Sequence, residues 1–256
     1  MINVIKTRVI PCLLLKGKGL VKTERFANPR YLGDPINIVK IFNEKEAHEI
    51  AILDITATAE GRSPNFDYLQ DIASEAYMPL AYGGGVRTLE DIRKVFSIGF
   101  EKVIINNASI SDPGLIEKAS QQFGSQSVVV SIDAKRSLLG KYEVFVQNGK
   151  MGAKRTPAQH AKEMEARGAG EILITSIDHE GTMSGYDLEL IKGVTSVVDV
   201  PVLANGGAGE LKHFEQAVKQ AGASGVVAGS MFVFHGKHRG ILISFPEENQ
   251  LSKFLP

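Results

Sequence analysis

The chain of 256 residues balances 29 lysines and arginines against 29 aspartates and glutamates, and 43% of it is hydrophobic. A zero formal charge gives no electrostatic case for nucleic acid or an acidic membrane surface, and no apolar run reaches the roughly 20 residues of a membrane span. The N-terminus carries no signal-peptide pattern and there is one cysteine, so a cytosolic protein without disulfides or a thiolate metal cage is expected.

Short runs of Val, Ile, Leu and Ala alternate with amphipathic stretches along the whole chain. Strand one is expected at 8–14 and contains Cys12, which reads as a buried, inert thiol. The connection 15–34 holds Gly17, Lys18, Gly19, Lys22, Pro29 and Arg30, is too long for a turn, and is a candidate mobile lid. A helix at 36–47 leads to strand two at 50–55, and a helix at 66–76 leads to strand three at 78–82. The helix at 88–97 opens on Thr88 with Asp91 three residues later. Strand four, 102–106, is followed by a helix at 112–122 opened by Ser111-Asp112-Pro113. After strand five, 126–132, alternation in Tyr142–Val146 and a turn at Asn148-Gly149 predict a hairpin within 137–153. Helices at 156–168, 186–194 and 210–220 then separate strands six (171–176), seven (200–204) and eight (224–228).

Eight β units joined by helical crossovers predict an α/β protein, a single (β/α)8 barrel of the TIM type spanning 1–256. An open doubly wound sheet is the rival reading. An internal repeat favours closure: Ala81-Tyr82-Gly83-Gly84-Gly85 is echoed 123 residues later by Ala204-Asn205-Gly206-Gly207-Ala208, and the same offset carries Asn106-Asn107 onto Gly229-Ser230. Two half-barrels of four units each are implied.

The repeated segments also suggest chemistry. Gly83-Gly84, Asn106-Asn107, Gly206-Gly207 and Gly229-Ser230 end strands three, four, seven and eight. Glycines let backbone N–H groups approach an anion, and barrels commonly bind phosphate after strands seven and eight. Two such pairs suit a small molecule with a phosphate at each end. The acids at strand ends are Asp54, Asp133 and, just past strand six, Asp178; each can move a proton in a suitable environment or simply cap a loop. The six histidines are scattered without metal-like spacing; His179 beside the strand-six loop is the one nearest the expected mouth. No metal or cofactor is expected.

Several segments together resemble the cyclase subunit of imidazole glycerol phosphate synthase, the HisF family. They include Leu53-Asp54-Ile55-Thr56-Ala57, Gly83-Gly84-Gly85, Ser131-Ile132-Asp133-Ala134-Lys135-Arg136, Gly181-Thr182-Met183-Ser184-Gly185 and Gly206-Gly207-Ala208-Gly209. The resemblance covers nearly the whole chain. It implies a HisH-like glutaminase partner at the N-terminal barrel face, and ammonia conducted through the barrel to a bis-phosphorylated ligand at the C-terminal face. It implies a gate of alternating charges at the barrel floor, here Arg8, Glu49, Lys102 and Glu171. It also gives Asp133 the role of catalytic acid–base, and Lys22, Asp54 and Gly181 roles at the ligand.

The chain departs from that family where strand one ends. The family's Cys-Leu-Asp-Val is here Cys12-Leu13-Leu14-Leu15, so Leu14 replaces one of the two acid–base residues; Asp-Gly-Thr after strand six is here Glu180-Gly181-Thr182. After strand eight, Gly240–Pro246 reads as extended where the family has a helix, leaving room for only a short helix near 247–254. These departures resemble the glycosyl amidation-associated (WbuZ-type) branch. That likeness implies ammonia supplied to an ATP-dependent amidotransferase acting on a surface-polysaccharide sugar. The alternative is an ordinary histidine-pathway cyclase whose missing base comes from Glu180 or a lid residue.

Overall fold

Near-continuous aliphatic runs signal strands buried on both faces. The structure, a computed structural model, describes residues 7–137 and 139–256. Residues 1–6 and Leu138 lie outside it, and with them the reading of the N-terminus and one position of the 137–153 connection. The eight runs form β1 (Arg8–Lys16), β2 (Ile50–Asp54), β3 (Leu80–Gly83), β4 (Lys102–Ile105), β5 (Val128–Arg136), β6 (Glu171–Ser176), β7 (Val202–Asn205) and β8 (Gly225–Ala228). Each pairs in parallel with the next. β8 returns to β1 with Arg8 opposite Gly225 and Pro11 opposite Ala228, which closes the barrel and rules out the open sheet.

Closure sorts side chains by parity, because successive residues of a strand face opposite ways. One set, including Ile10, Cys12, Leu14, Ala51, Ala81, Ile104, Val129, Leu173, Leu203 and Val227, forms a cluster of its own inside the barrel. The other set, including Val9, Leu13, Ile50, Ile52, Val103, Val128, Val130 and Ile172, joins the helices in the larger outer core. Helices Pro35–Glu44, Leu89–Ser97 and Pro157–Ala166 start where their caps dictate. Asp34 accepts from the Asn37 N–H, while Thr88 with Asp91 and Thr156 with Gln159 form reciprocal capping boxes.

Three expectations change. The Ser111-Asp112-Pro113 signal does not open its helix with a side-chain cap. A short helix, Asn107–Ser111, ends there, and Gly114–Phe123 begins after Pro113. The 15–34 connection is not a loose loop: Gly19–Glu24 pairs antiparallel with the extended end of β1, and Ala27–Gly33 pairs with Gly19–Glu24. β5 extends to Arg136 and pairs with Tyr142–Val146, which in turn pairs with Met151–Gly152, as the alternation there predicts. The half-barrel repeat is visible at the original offset. Lys102 maps onto Gly225 at the start of β8, Asn107 onto Ser230 at the start of a second short helix, and Gly19 onto Tyr142 at the start of the second hairpin. After β8, Phe234–His235 pairs with Gly240–Ile241, and a short helix, Glu248–Leu251, follows. Phe245 between them packs edge-on against Phe42 and closely against Phe232.

Phe42→Ala, at a fully buried site, is expected to lower unfolding free energy by about 3–5 kcal/mol. Thr88→Ala, which removes a cap, should lower it by about 1 kcal/mol. Chemical denaturation of both variants checks the ordering.

Candidate active site at the barrel mouth

The C-terminal ends of the strands surround a cavity of about 140 Å³. Of the residues singled out from the sequence, Lys22, Asp54, Gly83, Gly84, Asn106, Asp133, Gly181, Gly206, Gly207, Gly229 and Ser230 line it. Asn107 does not; it begins the short helix after β4. The glycine loops approach neighbouring backbone too closely for any side chain. At Gly84 (φ +117°) a Cβ would lie 2.4 Å from the Asp54 carbonyl oxygen, and at Gly207 (φ +115°) 2.1 Å from that of Gly185. The Ser230 hydroxyl is buried at the cavity wall without a hydrogen-bond partner among the described residues.

Asp133 projects from β5 at the inner end of this cavity. Burial pushes its carboxyl up to about 7, against hydrogen bonds from Thr175 and Ser131 that favour the charged form, and the Glu180 carboxylate adds to the rise. The Asn106 amide donates to its Oδ2 at 3.2 Å. Leu14 lines the same cavity and presents only methyl groups there. Cys12, also on the wall, is pushed up to about 12 by burial and stays a thiol.

A buried carboxylate, Glu180, helps fasten the lid hairpin over the site. Glu180 pairs with Lys22, accepts from Thr23 Oγ1 at 3.0 Å and from the Phe26 N–H at 3.2 Å, and its own carbonyl accepts from the Arg25 N–H at 2.9 Å. Lys22 is only 9% exposed and Glu180 5%, and a buried charge needs such a partner. Glu180 is therefore a lid anchor, not a free base. Gly181 admits the Thr23 carbonyl to within 2.3 Å of where a Cβ would stand.

Other acids are spent locally. Asp54 Oδ1 accepts from the Thr56 N–H and hydroxyl, the Ala57 N–H and Arg62, and its Oδ2 lies 2.8 Å from Arg62. It organises its own loop. Asp178 accepts from the Arg136 N–H at 2.9 Å. His179 bonds the Gly185 carbonyl through Nδ1 at 2.8 Å and braces Gly207 from behind. The sequence reading passed over Ser131, Thr175, Asn205 and Asn148. The first three share the inward parity of their strands, which would have found them. Asn148 reaches the Ile55 carbonyl only because the second hairpin folds over the mouth, and no local signal marks it.

At the opposite end the four floor charges meet in a closed ring. Arg8 donates to Glu49 and to Glu171 at 2.6 Å each, and Lys102 lies 3.1 Å from Glu49 and 3.2 Å from Glu171. Burial works against the Arg8 charge, but Glu171 and Glu49 outweigh it and raise its pKa. Each buried carboxylate is thus held by two cations. Among the described residues no cluster could hold a metal, and no helix is long and apolar enough to cross a membrane.

A model of the histidine biosynthesis protein family matches residues 8–239. A Pseudomonas aeruginosa protein provisionally named imidazole glycerol phosphate synthase subunit hisF2 is 48% identical over 247 residues, covering 96% of this chain and 98% of that protein. A Leptospira borgpetersenii protein with the provisional name imidazole glycerol phosphate synthase subunit HisF is 43% identical over 98% of this chain and 100% of its own length. The imidazole glycerol phosphate synthase subunit HisF of Endomicrobium trichonymphae is 43% identical over 97% of this chain and 94% of its own.

Asp133 binds its proton more tightly folded (about 7) than unfolded (about 3.9). Stability is therefore lost as pH rises from about 4 through 7, by at most about 4 kcal/mol. Asp133→Asn removes that loss. Denaturation should find the variant more stable than the parent at pH 8, with the difference shrinking towards pH 4.5; an equal difference at both would contradict the assignment.

Proposed function

The chain belongs to the histidine biosynthesis protein family, among HisF-like subunits of imidazole glycerol phosphate synthase, and from that premise we propose that it is the ammonia-receiving barrel of a glutamine-dependent assembly. In this reading a HisH-like glutaminase docks at the N-terminal face of a single barrel domain. Ammonia passes the Arg8–Glu49–Lys102–Glu171 gate, crosses the apolar middle of the barrel, and emerges beside Asp133 at a phosphorylated small molecule. No cofactor takes part.

The layering along inward-facing positions carries this reading. Charge lies at the floor, apolar side chains such as Ala51, Ala81 and Leu173 in the middle, and Asp133 with the glycine loops at the mouth. A neutral amine crosses such a section at small cost, whereas an isolated ammonium does not. The loops after β3 and β4 and those after β7 and β8 form opposed cradles, where backbone N–H groups and the Ser230 hydroxyl can receive phosphate.

Leu14 shapes the finer reading. A leucine cannot exchange a proton, and Glu180, held by Lys22, Thr23 and Phe26, does not replace the missing acid. Ring closure is then slow, and the ammonia serves a separate ATP-dependent amidotransferase that modifies a surface-polysaccharide sugar. The second reading, the cyclase step of histidine biosynthesis, is favoured by the names of the relatives and by an Asp133 that titrates near neutrality.

Ammonia-dependent cyclase turnover of a bis-phosphorylated ribulosyl substrate separates them. Unmodified protein is expected to be slow, and Leu14→Asp faster by roughly 10²–10⁴-fold. Robust turnover by the unmodified protein, with no gain in the variant, would establish the histidine-pathway reading instead.

A further inference from the structure

A chain of polar contacts crosses the apolar wall between the barrel and its helices and ends on Asp133. It starts at the surface, where Glu163 pairs with Arg155 at 2.7 Å and with Arg167 at 3.2 Å. Arg155 Nη1 lies 3.1 Å from His160 Nδ1, His160 Nε2 lies 2.9 Å from Ser109 Oγ, and Ser109 Oγ donates to the Asn106 carbonyl at 2.6 Å. Asn106 Nδ2 then donates to the Ser131 carbonyl at 3.0 Å and to Asp133 Oδ2 at 3.2 Å. His160 is 1% exposed and Ser109 is fully buried.

The proton positions follow from chemistry. A guanidinium only donates, so Nδ1 of His160 accepts and its proton sits on Nε2. Nε2–H donates to Ser109, whose single hydroxyl proton is committed to Asn106. From Arg155 through His160 and Ser109 to Asn106 each donor points inward, and the Asn106 amide divides its two hydrogens between the Ser131 carbonyl and the Asp133 carboxylate. Burial, and next the Arg155 charge, hold His160 down to about 4, with Glu163 opposing them. The imidazole therefore stays neutral over the range in which Asp133 titrates. A structural role alone would need only that each polar group be satisfied; here the row also fixes the residue whose amide meets the proposed catalytic acid.

We propose that His160 and Ser109 are positioning residues for Asp133: they hold the turn at Asn106 so that its side-chain amide stays on the Asp133 carboxylate. The proposal rests on the reading of Asp133 as the working acid–base, but it concerns the carboxyl's own titration, which can be measured without turnover. The Asn106 N–H favours the charged carboxylate, so losing it raises the Asp133 midpoint. The other groups bearing on Asp133 are Glu180 and the Thr175 and Ser131 hydroxyls; Lys22 and Cys12 lie on the same wall. None of them is touched by the variants below.

The test is a ¹³C NMR titration of the aspartate carboxyl carbons in the full-length protein, with the Asp133 signal identified by its loss in Asp133→Asn. Ser109→Ala and His160→Leu are each expected to raise the Asp133 midpoint by about half a pH unit or more. His160→Gln, which retains an N–H donor towards Ser109, should stay near the parent. Ser109→Ala removes one oxygen and keeps the experiment decisive should His160→Leu fail to fold. An unchanged Asp133 midpoint in folded Ser109→Ala, even with lowered thermal stability, would overturn the proposal, as would a midpoint in His160→Gln displaced as far as in Ser109→Ala. If the midpoints move as expected while no ammonia-dependent chemistry is found, the positioning stands and the functional reading falls.

Discussion

Closure of eight parallel strands is the constraint on which the rest depends. Once β8 pairs with β1, each strand must send every second residue inward. The parity that puts Arg8 at the floor also puts Ile10 and Cys12 in the middle and Leu14 at the mouth. β4 likewise leads from Lys102 through Ile104 to Asn106 just past its end, and β6 from Glu171 through Leu173 to Thr175. Floor, middle and mouth are therefore three layers of one register. A shift of one residue in β1, β4 or β6 would drive a charge into the outer core and an aliphatic chain out of it.

This layering makes the electrostatics of the two ends different in kind. At the floor, two cations and two carboxylates cancel, and their mutual contacts offset the cost of taking charge out of water. At the mouth the compensation is uneven. Lys22 and Glu180 neutralise one another, and Arg62 answers Asp54. Asp133 has no cation partner among the described residues, and burial pushes its carboxyl up to about 7 instead. A group that changes charge near pH 7 in a walled cavity is suited to proton transfer. The same uncompensated burial makes it a cost to stability above that pH.

The pairing of Lys22 with Glu180 also ties architecture to access. The antiparallel hairpin after β1 pairs with the barrel strands through Val21 and its neighbours. Glu180, from the loop after β6 across the mouth, collects a lysine, a hydroxyl and a backbone N–H from that hairpin. The second hairpin contributes Asn148 on the Ile55 carbonyl from the other side. Both hairpins follow corresponding strands of the two half-barrels, so the roof inherits the repeat of the walls.

What the sequence by itself determined was periodic or local. The eight aliphatic runs, the Thr88–Asp91 cap, the Asn148-Gly149 turn and the repeat at 123 residues were legible because each depends on neighbours in the chain. Strand ends were placed less well: β5 runs to Arg136 because its hairpin continues the pairing beyond the barrel. Tertiary structure alone decided what each polar side chain does. Asp54 and Asp133 both read as strand-end acids and both line the cavity, yet Asp54 is bound by Thr56, Ala57 and Arg62 while Asp133 meets the Asn106 amide. Asn106 and Asn107 are adjacent, yet only Asn106 lines the site, since the helix begins between them. His160 looked like one scattered histidine, until packing brought it to Ser109, 51 residues away. Propensity and periodicity act along the chain; hydrogen bonds and desolvation act across space, and closure of the barrel is what sets those distances.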